Sequence, residues 1–288
     1  MPLHHVPDLP HPIRLQEYGV GIFEQAPTKS AWKKVIKKNL VQVDGKVGTT
    51  GTFINGGETI ELQLPAESMT LKRLVLPLEV LFEDDYLAAI NKPAGILVSG
   101  NGFVTITRGL PQNLKKSLHI DACRPQPVHR LDYATTGVLL AGKTREGIRL
   151  LNQMFEEKTI HKTYLAIAIG PMPQEGVIDT PIDEKESLSH FKILATVASP
   201  RFEYLNLVKV EPKTGRRHQI RKHLASIGHP ILGDKDYGLE GKILNGKGLY
   251  LHAFKISLVH PFTEENLQIE APIPNKFGKI FNLDEIQF

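Results

Sequence analysis

The run Pro127-Val128-His129-Arg130-Leu131-Asp132-Tyr133-Ala134-Thr135-Thr136-Gly137 sets one carboxylate beside basic residues and ahead of a Thr-Thr-Gly turn. The apolar stretch Val138-Leu139-Leu140-Ala141 follows directly. An acid flanked by Arg130 and an apolar Leu131 suggests a carboxylate held in a cleft and kept ionised by a cation. Asp followed by Thr and Gly is equally ordinary turn chemistry, so Asp132 taken alone has a purely local reading as well. Tyr164 alternates with Ala166 and Ala168 on one strand face, where small neighbours leave room for a flat ring, or where it is an ordinary half-buried strand aromatic. Arg217 and Arg221 are spaced by one helical turn, which suits a solvated face or a phosphate clamp. Ile220, Leu224 and Ile227 supply the core face of that helix.

The elements that must position these groups fall into two blocks. Residues 1–13 read as a loose arm, 14–62 as a small unit, 63–77 as a linker and 78–288 as the main domain. In the small unit, Thr28 or Ser30 caps a helix running to about Lys38. Trp32, Val35 and Ile36 face inward, and Lys33, Lys34, Lys37 and Lys38 cover the other side. Leu40 to Val43 alternates as a strand, Asp44-Gly45 is a two-residue hairpin turn, and a further strand ends at Leu62. The main domain shows many short strands (78–83, 86–91, 162–169) and few helices (144–158, 216–226). Runs of strands with segregated helices imply an α+β fold around a mainly antiparallel sheet.

Several spaced motifs run in order through the main domain: Glu83-Asp84-Asp85, Ile90-Asn91-Lys92-Pro93-Ala94-Gly95, the His129–Gly137 run, Lys162-Thr163-Tyr164-Leu165-Ala166, Thr214-Gly215-Arg216-Arg217-His218-Gln219-Ile220-Arg221, Gly228-His229-Pro230-Ile231-Leu232-Gly233-Asp234 and Leu251-His252-Ala253. Together they resemble the RluA-type RNA pseudouridine synthases over roughly residues 78–277. The resemblance implies an isomerase that turns uridine into pseudouridine in structured RNA without cofactor or metal. It implies Asp132 as the essential carboxylate, acting as nucleophile or as base toward the ribose. Arg221 would orient and ionise it, and Tyr164 would stack on the base and assist loss of the proton from carbon-5. The target must be flipped out of its stack, leaving Arg130 to fill the gap or contact a phosphate. His129 and Arg217 are further candidate RNA contacts.

The small unit resembles the αL-motif RNA-binding domain named after a small-subunit ribosomal protein, which makes Lys33, Lys34, Lys37 and Lys38 candidate backbone contacts. That domain leans toward ribosomal RNA. The basic run from Gly215 to His223 leans toward transfer RNA, since Arg217 and Lys222 stand where the family more often has Thr and an apolar residue.

Composition is compatible with this. A net charge of +4 suits a polyanionic partner without requiring one. The lone Cys123 excludes a disulfide framework and a cysteine zinc site, and fits a reducing compartment. His218 and His223 lack a convincing ligand set, so no metal is expected. The Pro- and His-rich start does not read as a signal peptide, and no apolar run is long enough for a membrane span, so a cytoplasmic location is expected; a monomer is expected because RNA itself supplies a large interface. Two other classes compete: a non-catalytic RNA-binding or ribosome-assembly protein on the same fold, and a hydrolase using His129 and Asp132. The intact Asp–Tyr–Arg set argues against the first, and the lack of paired metal-binding carboxylates against the second.

Overall fold

The computed structural model describes residues 2–63, 74–244 and 246–288. The chain divides into two compact units, residues 1–73 and 74–288.

In the first unit, β1 (Leu3–His5), β3 (Val41–Val43), β4 (Lys46–Val47) and β6 (Thr59–Leu62) form an antiparallel sheet in the order β1-β6-β3-β4. β2 (Ile13–Arg14) pairs with β5 (Phe53–Ile54), and a short helix α1 (Leu15–Tyr18) follows β2. Helix α2 (Lys29–Lys37) starts where the Thr28 hydroxyl accepts a hydrogen bond from the Ala31 N–H at 3.2 Å. Its inward face carries Trp32 and Ile36, both buried, and the Trp32 indole donates to the Leu15 carbonyl at 2.7 Å. Asp44 and Gly45 both take positive φ, the geometry a tight hairpin needs between β3 and β4. The expected loose arm is instead part of this unit. Leu3–His5 pairs with Thr59–Glu61, and Val6 is buried in the core, so an edge of the sheet and an apolar contact order the segment.

In the second unit, a ten-stranded sheet has the backbone order β12-β13-β14-β11-β15-β10-β8-β7, with β16 beside β15 and β9 beside β10. These strands are β7 (Glu79–Glu83), β8 (Leu87–Lys92), β9 (Ala122–Pro127), β10 (Thr136–Thr144), β11 (His161–Ile169), β12 (Glu175–Ile178), β13 (Ser189–Ser199), β14 (Glu203–Pro212), β15 (Leu251–Val259) and β16 (Asn266–Glu270). Pairing is antiparallel except for β10 against β15, where Thr136 faces His252 and Gly137 faces Ala253. Gly137 has φ +111°, and a Cβ there would lie 2.1 Å from the Ala253 carbonyl oxygen. Only glycine lets the two strands close up at this point.

Helices α3 (Ile106–Asn113), α4 (Arg145–Glu156), α5 (Gln219–Ser226) and α6 (Asn275–Gly278) complete the unit. The sequence pattern does not announce α3, because Gly109 and Pro111 look like breakers; a Cβ at Gly109 would lie 2.8 Å from the Leu76 side chain, so the glycine is a packing requirement. Residues 74–77 are not linker. Leu76 and Leu78 are buried, and their N–H groups donate to Gln112 and Asn113 of α3. The rest of the expected linker, 64–73, lies outside the described residues. Glu83 and Asp84 prove to be scaffold: Glu83 pairs with buried Lys143 at 2.7 Å, and Asp84 bonds His260 at 2.8 Å. Among the described residues, no helix is long and apolar enough to cross a membrane.

Candidate active site

Asp132 sits on the loop between β9 and β10. The loop is held from three sides. The Thr135 N–H donates to the Asp132 carbonyl at 3.1 Å, closing a turn, and the Gly95 N–H donates to the Tyr133 carbonyl at 2.7 Å. Beneath them lies Lys92, fully buried, whose ammonium donates to the carbonyls of Pro93 and Thr135, each at 2.9 Å. Burial pulls the Lys92 pKa down to about 8, and the Asp132 charge limits the fall. A buried ammonium therefore ties two backbone segments, 92–93 and 133–135, under the one carboxylate.

Arg221 reaches the same place from α5. Its Nε and Nη2 make two parallel hydrogen bonds to Asp234 at 2.7 and 2.6 Å, and Nη2 also meets Asp236 at 2.6 Å. Its Nη1 lies 4.0 Å from Asp132 Oδ2. Burial opposes the guanidinium charge, but the bonds and charges of Asp234 and Asp236 more than reverse this and push its pKa up. The Tyr237 ring stands 4.9 Å from the guanidinium. His218, in a left-handed backbone conformation just before α5, points Nε2 at Asp132 Oδ1 (3.8 Å) while Nδ1 meets the Tyr237 hydroxyl at 3.0 Å. Burial lowers the His218 pKa, and the Arg221 and Arg217 charges add to this against the pull of Asp132 and Asp236. A neutral imidazole accepting from Tyr237 presents an N–H to the carboxylate.

Asp132, His218 and Arg221 line a cavity of about 660 Å³, together with Tyr164, Arg130, His129, Lys162 and Arg217. Burial and the Asp132 charge push the Tyr164 phenol up, so it keeps its proton throughout the working pH range. Ala166 and Ala168 do not open space beside it. Both are fully buried, and Ala168 bridges to Ile231, because β11 is covered on both faces.

Three further expectations change. His129 accepts the Leu140 N–H on Nε2 at 2.9 Å, and burial with the nearby Lys162 charge lowers its pKa to about 3. Its Nε2 is committed to a backbone N–H, which favours a structural hydrogen-bonding role over a general base or an RNA contact through that atom. Arg217 and Arg221 do not share a helix face. α5 begins only at Gln219, leaving Arg217 exposed in the preceding turn while Arg221 is buried. Ile227 lies past the helix end and is 36% exposed, unlike buried Ile220 and Leu224. Sequence reasoning assigned no role to Lys92, Asp234, Asp236 or Tyr237 and passed over His218. Lys92 and Asp234 stood inside the spaced motifs, but nothing along the chain joins Asp234 to Arg221.

A family model described as RNA pseudouridylate synthase matches residues 86–226, a span that holds Asp132, Tyr164 and Arg221. An uncharacterized RNA pseudouridine synthase of Bacillus subtilis is 40% identical over 68% of this chain and 69% of its own. The ribosomal large subunit pseudouridine synthase D of Nitrosomonas europaea is 31% identical over 96% of this chain and 85% of its own. The chain belongs to the RluA-type RNA pseudouridine synthases. It is an isomerase that converts uridine in RNA to pseudouridine. The solved structure of human RNA pseudouridylate synthase domain containing 4 shares the synthase fold, at TM-score 0.58 and 26% identity, covering 73% of this chain and 94% of that one.

Proposed function

We propose that this synthase acts on large-subunit ribosomal RNA, and that Asp132 starts the exchange at a uridine flipped into the cavity. The observation that carries the catalytic assignment is the setting of Asp132. It is a carboxylate at a cavity wall, backed by a buried ammonium and faced within 4.0 Å by a guanidinium that two other acids hold in place. In the reaction the bond from ribose carbon-1 to N1 breaks and a bond from the same carbon to carbon-5 forms. The carbon-5 proton leaves and N1 regains one. Asp132 attacks carbon-1 or removes a ribose proton. Arg221 positions it and disfavours its protonation. Tyr164 serves as a flat neutral wall for the uracil; burial and the Asp132 charge keep its phenol protonated, which favours a group beside it over the phenolate as the base for carbon-5.

The ribosomal assignment rests on relatives named as ribosomal large subunit synthases that match along nearly the whole chain, the N-terminal unit included. The basic run around α5 gives transfer RNA little support in return. The Lys222 ammonium pairs with Asp183 at 2.8 Å, so the most distinctive cation on that helix is engaged within the protein, while Arg216 is held at Nε by the Glu186 carbonyl at 3.0 Å. Arg130 and Arg217, exposed at the cavity rim, are the proposed phosphate contacts beside the flipped nucleotide. Lys33, Lys34 and Lys37 on the outer face of α2, with Lys38 at its C-cap, grip RNA backbone.

The test is tritium release from RNA labelled at uracil carbon-5, on unmodified ribosomal and transfer RNA pools. Release from the ribosomal pool, lowered at least about 10³-fold by Asp132→Asn with RNA binding retained, is expected. Release by the variant at the native rate removes Asp132 from the chemistry; release from the transfer RNA pool alone overturns the substrate.

A further inference from the structure

Lys162 is the anomalous cation of the cavity. It sits half-buried on β11 and lines the cavity, and among the described residues it has neither an ion-pair nor a hydrogen-bond partner. Among the described residues no carboxylate lies within ion-pair reach of it, and its one favourable neighbour is a ring at the edge of cation–π range. The Phe155 ring centroid is 6.0 Å from Nζ, His129 is held neutral, and Lys213 is a like charge that already meets Glu211 at 3.6 Å. Glu156 lines the same cavity but is not within ion-pair reach. Burial and the Lys213 charge both pull the Lys162 pKa down, which is the mark of an ammonium placed where it is uncomfortable in the free protein. Arg221, Lys92 and Lys143, by contrast, are all satisfied by internal acceptors.

The strand spacing shows where a compensating anion would come from. Lys162 and Tyr164 both line the cavity and stand two residues apart on β11, about 7 Å along a strand, across the point where the pairing with β15 shifts register. That is roughly one nucleotide step along an RNA strand. With the uracil against Tyr164, the next charged group of the substrate on that side is a backbone phosphate. We infer that Lys162 is a seat for the RNA phosphate adjacent to the flipped uridine, with Lys213 at its rim. This rests on the reading that the uridine is bound at Asp132. Lys162 is thus a binding residue: the anion supplies the compensation that the free protein lacks, and the nucleotide gains a second fixed point one step from the base.

The experiment uses the full chain and an unmodified large-subunit ribosomal RNA transcript tritiated at uracil carbon-5. Lys162→Gln should raise KM about 5-fold or more with kcat within 2-fold, and flatten the log Kd against log salt slope by about 0.7–0.9, the share of one phosphate. Lys162→Arg should restore both, and Lys162→Met should melt no lower than the native protein, since it removes an uncompensated charge. Unchanged KM and slope, a fall in kcat alone, or a lower melting temperature for Lys162→Met overturns the seat. Failure of the parent reading shows separately, as tritium release by Asp132→Asn in the same assay.

Discussion

Arg221 and the lysines of α2 carry the same charge under opposite constraints. Arg221 is buried, and its guanidinium is fixed by Asp234 and Asp236 with one nitrogen left for Asp132. Lys34 and Lys37 stand exposed on a helix whose other side fills the core of the N-terminal unit, Lys38 stands exposed at its C-cap, and none of them has an ion-pair partner among the described residues. A cation that must aim one atom needs buried acids around it, because an ion pair in a dry site is directional and costly to break. A cation that must attract a polyanion works best solvated and mobile, since displaced counterions drive the binding. On the proposed function, one region is built for geometry and the other for affinity.

The comparison is broken most forcefully at Asp234. Asp234→Asn leaves Arg221 buried with Asp236 as its one hydrogen-bonded acid, which should cost about 3 kcal/mol of stability by urea titration. It should also lower turnover about 10²-fold through loss of aim, while RNA binding stays near native. Native turnover in that variant would mean Asp236 alone suffices.

Acid provides a second probe, confined to the catalytic unit. His129 has a folded-state pKa of about 3 and His252 of about 4, both depressed by burial from 6.5. The unfolded chain therefore takes up protons first. The stability from keeping these rings neutral is complete above pH 6.5 and is lost as pH falls toward 4 and then 3, on the order of several kcal/mol in all. The urea midpoint should drop between pH 7 and pH 5, and His129→Gln, which keeps an acceptor for the Leu140 N–H, should flatten the drop. A pH-independent midpoint would show that both rings are open to water.

The smallest effect per residue belongs to α2. Replacing Lys33, Lys34, Lys37 and Lys38 with Gln should weaken ribosomal RNA binding about 10-fold and reduce the salt slope, by up to about 0.9 for each phosphate no longer neutralised. The kcat should stay unchanged. A fall in kcat would mean that the N-terminal unit takes part in placing the uridine.

Much of the scaffold was legible because its causes are local. The Thr28 cap, the Trp32–Ile36 stripe and the Asp44-Gly45 turn each act within a few residues, and each stands where the pattern put it. The α5 start was misplaced by three residues, because His218 takes a left-handed conformation that no propensity suggests and that serves its contact with Asp132. The order of residues 1–13 was illegible for a related reason: it comes from pairing with residues near 60, which a polar, Pro-rich segment does not advertise.

By itself the sequence determined the α+β class, the order of the motifs and the residues that match the synthase family: Asp132, Tyr164 and Arg221. Tertiary structure alone decided what each can do. It set Lys92 beneath the Asp132 loop from forty residues away, closed Asp234 on Arg221, turned His129 inward to a backbone N–H, and left Lys162 facing the cavity without an anion. Charge, burial and hydrogen-bond commitment depend on neighbours brought together by the sheet, and a pattern along the chain carries no record of which neighbours those are.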